Sequence, residues 1–418
     1  MYCARAGQGT HGPGHRDTIG AVSLAIRAAR TADLPAIYDL LELAFPEASR
    51  ALFVKQTEAD STFRLRHGRV AVIDDRVCGY VRIFARRMLV RGVPVPAGGI
   101  GSVATQPDVR GEGVASMLLR DAIEQMRREG MAVSFLFTGI APLYERQGYR
   151  VVREPQVTAN AAEAAAAASA SLYDVRPAGD ADVPRLLALY RAATAGTTGA
   201  VVRTRRTWRD AAQSLGEADG DAFVAARHGR TVAYIRTRCR SYGHQVLELE
   251  HLRGHEGAVM PLVAAAGRIA RAHGEPLVAL VPDGHQLAIA LLAIPSTTVT
   301  TDVRFPMMMR VLSLEALCGA LLPWLSTRAA GHPGPAFRLK LNAPGESAVL
   351  DVRARSVARR GNGAAADAEL DAAATLDALL GQRLPGARCR PRADAGLRKR
   401  LDALFPETPL HFWNSDRI

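Results

Sequence analysis

Residues 99–149 read GIGSVATQPDVRGEGVASMLLRDAIEQMRREGMAVSFLFTGIAPLYERQGY. Ile100 to Thr105 is a short apolar and β-branched run, and Gln106-Pro107-Asp108 cannot easily prolong a strand, so a turn is expected there. In Arg110-Gly111-Glu112-Gly113-Val114-Ala115 the small residues let backbone N–H groups approach a ligand, and Ser116 to Arg128 has the spacing of an amphipathic helix. Strand, glycine turn and helix N-terminus together make an anion site. Further on, Met131 to Phe137 reads as a buried strand, and Ala141 to Gln147 as a short helix ended by Gly148.

The loop is neither a dinucleotide fingerprint, which needs G-x-G-x-x-G, nor a P-loop, which needs a Gly-Lys-Ser/Thr ending. The pattern present is R-x-x-G-x-A, carried by Arg110, Gly113 and Ala115 with Pro107 just ahead of it. It resembles the pyrophosphate-binding motif of the GNAT acyltransferases. That resemblance implies that Arg110, Gly111, Glu112, Gly113, Val114, Ala115 and Ser116 cradle the pyrophosphate of acetyl-CoA. It also implies that Ser102, Val103 and Ala104 present backbone groups to the pantetheine and thioester, one N–H serving the oxyanion. Leu143-Tyr144-Glu145-Arg146-Gln147-Gly148-Tyr149 resembles the second GNAT signature, in which the tyrosine protonates the departing thiolate. Taken alone, Tyr144 reads equally well as an amphipathic wedge between strand and helix.

At 418 residues the chain has room for two or three cores. A hydrophobic share of 48% fits a globular protein. The odd, scattered set Cys3, Cys78, Cys239, Cys318 and Cys389 has no C-x-x-C pair and reads as free thiols in a reducing compartment. The first twenty residues, rich in Gly, His and Arg, lack the apolar core of a secretory signal, and the longest apolar run, Leu287 to Ile294, is too short to span a bilayer. A cytoplasmic protein is expected. The net charge of +12 is carried by scattered arginines without a recognised nucleic-acid motif, so solvated faces or rims around an anionic cofactor are expected rather than specific nucleic-acid binding. No metal-ligand cluster is apparent.

Upstream of the loop, Leu24 to Leu43 reads as a strand and a helix with Pro35 in its first turn, and Val70 to Ile73, Asp74-Asp75 and Val77 to Phe84 as a hairpin. This order is the one a GNAT fold requires. Residues 1–23 are then a flexible tail, 24–158 a catalytic GNAT domain, and the alanine-rich 159–172, whose low complexity could encode a helix or a flexible linker, is taken as the linker at the domain boundary. After it the chain repeats itself: Asp174 to Pro184 echoes Ala25 to Pro35 at a constant offset of 149 residues (Arg27 to Arg176, Pro35 to Pro184). Residues 173–297 are therefore expected to be a second GNAT-like fold. Its nearest match to the phosphate loop, Arg253-Gly254-His255-Glu256-Gly257, places an acid where pyrophosphate would lie, so this copy is degenerate.

From Thr298 the character changes. Val303 to Leu312, with three consecutive methionines, reads as a core strand, Ser313 to Leu325 as a helix, Phe337 to Leu341 and Ala348 to Val352 as strands, and Thr375 to Leu380 as a helix capped by Gly381. Residues 298–418 resemble a sterol-carrier-protein-like module. The expected class is α/β (α+β), with tandem GNAT folds followed by this module, and the whole is similar to the Eis (enhanced intracellular survival) family of N-acetyltransferases.

That resemblance implies acetyl transfer from acetyl-CoA to a small-molecule or lysine-like amine (an aminoglycoside or polyamine among them), a homo-oligomer, and a chain end that enters the active site, where its carboxylate acts as base. Here that carboxylate belongs to Ile418, at the end of Leu410-His411-Phe412-Trp413-Asn414-Ser415-Asp416-Arg417-Ile418, a tail too aromatic for a disordered segment. Asp416, Glu407 and His411 are the alternative bases, and packing of the tail on its own domain is the plainer reading. A non-catalytic CoA- or lipid-binding carrier is the competing function.

Overall fold

The computed structural model describes residues 24–152, 154–167, 171–215, 220–240, 243–282, 284–361, 364–390 and 394–417. Ile418 and the tail at residues 1–23 lie outside them. The first unit runs β1 (Leu24–Ala28), α1 (Leu34–Ala44), α2 (Arg50–Ala59), β2 (Gly68–Ile73), β3 (Arg76–Val90), β4 (Val93–Thr105), α3 (Val114–Arg128), β5 (Val133–Phe137), α4 (Ala141–Glu145) and β6 (Arg150–Val151). The second runs β7 (Gln156–Ala159), α5 (Ala161–Ala166), β8 (Asp174–Pro177), α6 (Val183–Thr194), α7 (Arg205–Leu215), β9 (Gly220–Arg227), β10 (Arg230–Arg240), β11 (Gly243–His251), α8 (Val259–Ala272), β12 (Leu277–Leu280), α9 (Gln286–Leu292) and β13 (Thr298–Thr300). The rest is β14 (Met307–Val311), α10 (Leu314–Gly331), β15 (Phe337–Ala343), β16 (Glu346–Val352), β17 (Val357–Arg360), β18 (Ala368–Leu370), α11 (Ala372–Leu380) and α12 (Ala395–Leu404). The architecture is mixed α/β with tandem GNAT-like folds, as the motif order implies. Among the described residues no helix is long and apolar enough to cross a membrane.

The repeat read from sequence is reproduced in side-chain detail. Arg27 pairs with Asp33 at 2.6 Å and Arg176 with Asp182 at 2.7 Å, and each carboxylate also accepts a backbone N–H, from Arg30 and from Gly179 respectively. Each pair fixes the turn between a first strand and a Pro-initiated helix.

The two seven-stranded sheets share one topology and exchange a strand. The first has the order β1-β2-β3-β4-β5-β14-β6, the second β13-β7-β12-β11-β10-β9-β8. Thus β14, expected in the C-terminal module, completes the first sheet by pairing with β5 and β6, while β7 pairs with β12 and β13 in the second. Met307 and Met309 pack into one core and Met308 into another, which is why this strand is apolar without alternation. The alanine-rich stretch expected to be a linker is structural as well. Ala159 ends β7, and α5 lies so close to α8 that a Cβ on Gly267 would sit 2.6 Å from the Ala165 nitrogen.

The long β3–β4 hairpin ties the units together. Its tip is Arg91-Gly92, and Leu89, Gly92 and Val202 exchange backbone hydrogen bonds between this arm and residues 197–202 of the second unit. Arg91 is buried and donates to the carbonyls of Ala378, Leu379 and Pro406 and to the Thr408 hydroxyl, so it caps α11 and fixes the chain leading to the tail. The C-terminal unit is a four-stranded sheet, β17-β16-β15-β18.

Candidate active site

β4 and β5 are parallel and pair only from Ala97↔Val133 to Ile100↔Leu136, while β4 continues to Thr105, so the strands separate past Ile100. Immediately beyond that point the register of β4 with β3 slips: Gly101 faces Arg82 and Ala104 faces Tyr80, leaving Ser102 and Val103 opposite Val81 alone. Ser102 takes a left-handed φ of 52° there. A non-glycine residue held at positive φ within a bulge is a local strain of the kind found where backbone groups are aimed at a ligand.

The loop after β4 is built as the small residues suggest. Gln106 closes the strand by donating to the Cys78 carbonyl at 2.8 Å, and Pro107–Val109 makes one helical turn. Gly111 and Gly113 follow with φ of 91° and 79°. A Cβ at either would meet nothing within 4 Å, so backbone conformation, not crowding, calls for glycine here. Arg110, Gly111, Glu112 and Gly113 are exposed. Gly113 is the N-cap of α3, and its carbonyl accepts the Met117 N–H at 3.0 Å, so Val114, Ala115 and Ser116 turn N–H groups without intrahelical acceptors toward the loop. The opposite face of α3 (Val114, Leu118, Leu119, Ala122, Ile123 and Met126) is buried, with Leu118 seated against Gly79, where a Cβ would stand 2.8 Å away.

Tyr144 lies on α4, is 2% exposed, and belongs to the same buried cluster as Ile100 and Leu136, the last paired residues before the strands part. Tyr149 packs edge-on to it at 6.2 Å. The Tyr149 hydroxyl meets Ser134 Oγ at 2.8 Å, and Ser134 Oγ donates to the Gly98 carbonyl at 2.7 Å, which anchors the α4 turn to β4. Burial pushes the Tyr149 phenol up to about 12, so this residue is a neutral strut.

The second unit lacks this opening for an anion. Glu256, in the turn before α8, accepts the Gly254 N–H at 2.9 Å, so a carboxylate already occupies the loop.

The C-terminal tail lies between the two units. It enters along residues 197–202, with the His411 N–H donating to the Thr198 carbonyl at 2.7 Å. Phe412 packs at a tilt against Phe135 and Phe137 of β5, both at 5.5 Å. Arg417, the last described residue, places its guanidinium 4.2 Å over the Phe137 ring and pairs with Glu154 at 2.7 Å. The described end of the chain thus reaches the C-terminal end of β5, beside the splay. The alternative bases are all engaged. His411 donates a hydrogen bond to buried Glu250, Asp416 is in a buried ion pair with Arg203, and Glu407 accepts the Leu384 N–H at 3.3 Å. Glu407 also lines a groove of about 1100 Å³ between the units, together with Glu145, Arg150, Glu154 and Phe412.

The buried partners of the tail were not legible as functional residues: Arg203, in the arginine-rich run 203–209, reads as part of a solvated face, and Glu248 and Glu250 on β11 read as solvated positions until the strand is seen to be covered. The only signal was the position of two glutamates in an otherwise apolar strand, Val246-Leu247-Glu248-Leu249-Glu250.

Residues 25–152 match the family model described as the acetyltransferase (GNAT) domain. Residues 25–152 are a GNAT acetyltransferase domain. With it the chain is an acyltransferase. Solved structures resemble the whole chain, not the GNAT domain alone. A GCN5-related N-acetyltransferase from Kribbella flavida superposes with a TM-score of 0.72 at 19% identity, covering 95% of this chain and 99% of its own. One from Anabaena variabilis gives 0.73 at 16% identity, covering 94% and 100%. Eis1 from Mycobacterium abscessus gives 0.66 at 17% identity, covering 95% and 100%. At these identities the likeness is one of fold, and it extends through all the units that follow the GNAT domain. No curated protein sequence matches the chain.

Proposed function

We propose that the protein is an N-acetyltransferase that moves an acetyl group from acetyl-CoA to a primary amine by direct attack in a ternary complex. The observation that carries this reading is the convergence on one strand splay of the bulged β4, the open glycine loop at the α3 N-terminus, Tyr144, and the docked C-terminal tail. In this reading Arg110 to Ser116 hold the pyrophosphate, and Ser102 to Ala104 hold the pantetheine and polarise the thioester carbonyl. The amine nitrogen attacks that carbonyl carbon and the C–S bond breaks. The amine proton passes to the carboxylate of Ile418, and Tyr144 gives its phenolic proton to the departing thiolate.

The amine is taken to be an aminoglycoside, a polyamine or a lysine-like group, and the unit from α10 to α12 a sterol-carrier-protein-like module. That module's support is its small sheet with α10 and α11 packed on it. A thiol-release assay with acetyl-CoA over these amine classes tests the function. Turnover with at least one class is the expected result; thiol release with none of them would favour a non-catalytic CoA- or lipid-binding carrier.

A further inference from the structure

The second GNAT-like unit has kept the geometry of a cofactor cleft and filled it differently. β11 and β12 pair in parallel only from His244↔Leu277 to Val246↔Ala279. Just past that point β11 bulges against β10, with Val246 facing Thr237 and Glu248 facing Arg236, so that Leu247 is the extra residue. This is the arrangement of the first unit, where pairing ends at Ile100 and the bulge follows at Ser102 and Val103. The C-terminal tail lays His411, Trp413 and Ser415 against the second unit's splay, and Phe412 and Arg417 against β5 of the first.

The contacts are built from desolvated charges. Glu250 is fully buried and accepts hydrogen bonds from His411 Nε2 and Trp413 Nε1, each at 2.7 Å, with His285 Nε2 at 3.8 Å. Glu248, also fully buried, accepts from Ser415 Oγ and pairs with Arg203 at 2.7 Å. Arg203 in turn grips Asp416 through two donors at 3.0 and 2.7 Å, bonds Ser415 Oγ at 2.7 Å, and lies 3.9 Å over the Tyr190 ring. A charge buried this deeply holds its partner to one geometry, because every alternative leaves it unpaired.

We infer that Arg203, Glu248 and Glu250 are positioning residues: the second unit's vacated cofactor cleft is a receptor for the chain's own C-terminal tail, and it presents the tail's end to the acetyl-transfer site. The inference rests on the proposed role of the Ile418 carboxylate. The tail is pinned on both sides of the step between the units, by Arg203 at Asp416 and by Glu154 at Arg417. Arg203, Glu248, Glu250 and Glu154 touch neither acetyl-CoA nor the amine in the proposed scheme, and they act through the tail.

The test uses the full chain, with Arg203→Met, Arg203→Lys and Asp416→Asn made separately, and with a fourth protein extended by Gly-Ser residues beyond Ile418. Backbone hydrogen exchange reports docking through the N–H groups of His411, Asp416 and Arg417, which donate to the carbonyls of Thr198, Trp413 and Asn414. Arg203→Met is expected to speed their exchange roughly tenfold or more. It should lower kcat on the order of 10²-fold, the effect of misplacing a reacting group by about 1 Å, while KM for acetyl-CoA stays within about twofold. Arg203→Lys keeps a cation between the carboxylates and should recover part of kcat. If Arg203→Met does not fold, the isosteric Asp416→Asn breaks the same pair with Arg203 still neutralised by Glu248, and carries the measurement. Rapid tail exchange with unchanged kcat, or unchanged exchange in both Arg203→Met and Asp416→Asn, would overturn the inference. The extended protein separates the two readings. Full kcat with a protected tail would remove the terminal carboxylate as base and leave the receptor standing, whereas loss of activity on extension, combined with indifference to a loosened tail, would reject the receptor alone.

Discussion

In the proposed scheme Tyr144 is the general acid, and its setting sharpens what its substitution should do. It is buried between the end of the β4–β5 pairing and Tyr149, so removing only its hydroxyl leaves the packing intact. Tyr144→Phe is expected to lower kcat by roughly 10²–10⁴-fold, the scale of general acid catalysis, with acetyl-CoA affinity retained; thiol release and calorimetric titration read the two quantities separately. Gly113, by contrast, serves cofactor binding in the proposed scheme. At φ 79° an alanine would cost about 1–2 kcal/mol, so Gly113→Ala should raise KM for acetyl-CoA by roughly 5- to 30-fold with a smaller effect on kcat. Asp60 supplies a pH signature. It is buried beside Arg82 and Arg86 at 3.0 and 3.4 Å. Burial works to raise its carboxyl, but the two guanidinium charges and the Thr62 hydrogen bonds prevail and hold it at about 2, below its ordinary 3.8. A carboxyl lowered on folding stabilises the fold above its unfolded value and loses that contribution as pH falls through the folded one. Between pH 4 and 2, urea unfolding should therefore show the native protein losing about 2 kcal/mol more than Asp60→Asn does.

At the scale of elements, the exchange of β7 and β14 governs what can be separated. A fragment ending at residue 158 lacks β14, which pairs with β5 along its whole length from Met307↔Phe137 to Val311↔Val133. That fragment is expected to aggregate or to remain only partly folded by circular dichroism, since it exposes the edge of β5 and the surfaces that Met307, Met308 and Met309 cover. A truncation after Pro295 also removes β14 and suffers the same loss. The elements around the glycine loop were legible, while α2, α7, α9 and α12 were not read; the Asp74-Asp75 turn is there with both residues at positive φ, and Val303 to Leu312 does contain a core strand. Which sheet that strand joins was not legible, because apolar residues on both faces say that a strand is covered twice and nothing about which neighbours it pairs with. The alanine-rich stretch misled for a related reason. Small side chains look like a linker when read alone, and they are also what lets α5 approach α8 at Gly267.

Over the whole molecule, the exchanged strands, the β3–β4 arm and the docked tail leave no unit complete without another. Thermal unfolding followed by calorimetry and by circular dichroism is expected to give one coincident transition; two resolved transitions would show that the units unfold separately. The sequence by itself pointed, through its motifs, to the acetyltransferase domain and its glycine loop, the repeat, and the loss of the phosphate loop in the second copy. These are local patterns, in which spacing along the chain dictates backbone conformation and the groups it exposes. Only the tertiary structure decided which strand completes which sheet, and that Arg203, Glu248 and Glu250 meet a tail more than 150 residues away in the chain. Such contacts depend on which buried charges can find partners once water is excluded, and sequence spacing does not encode that.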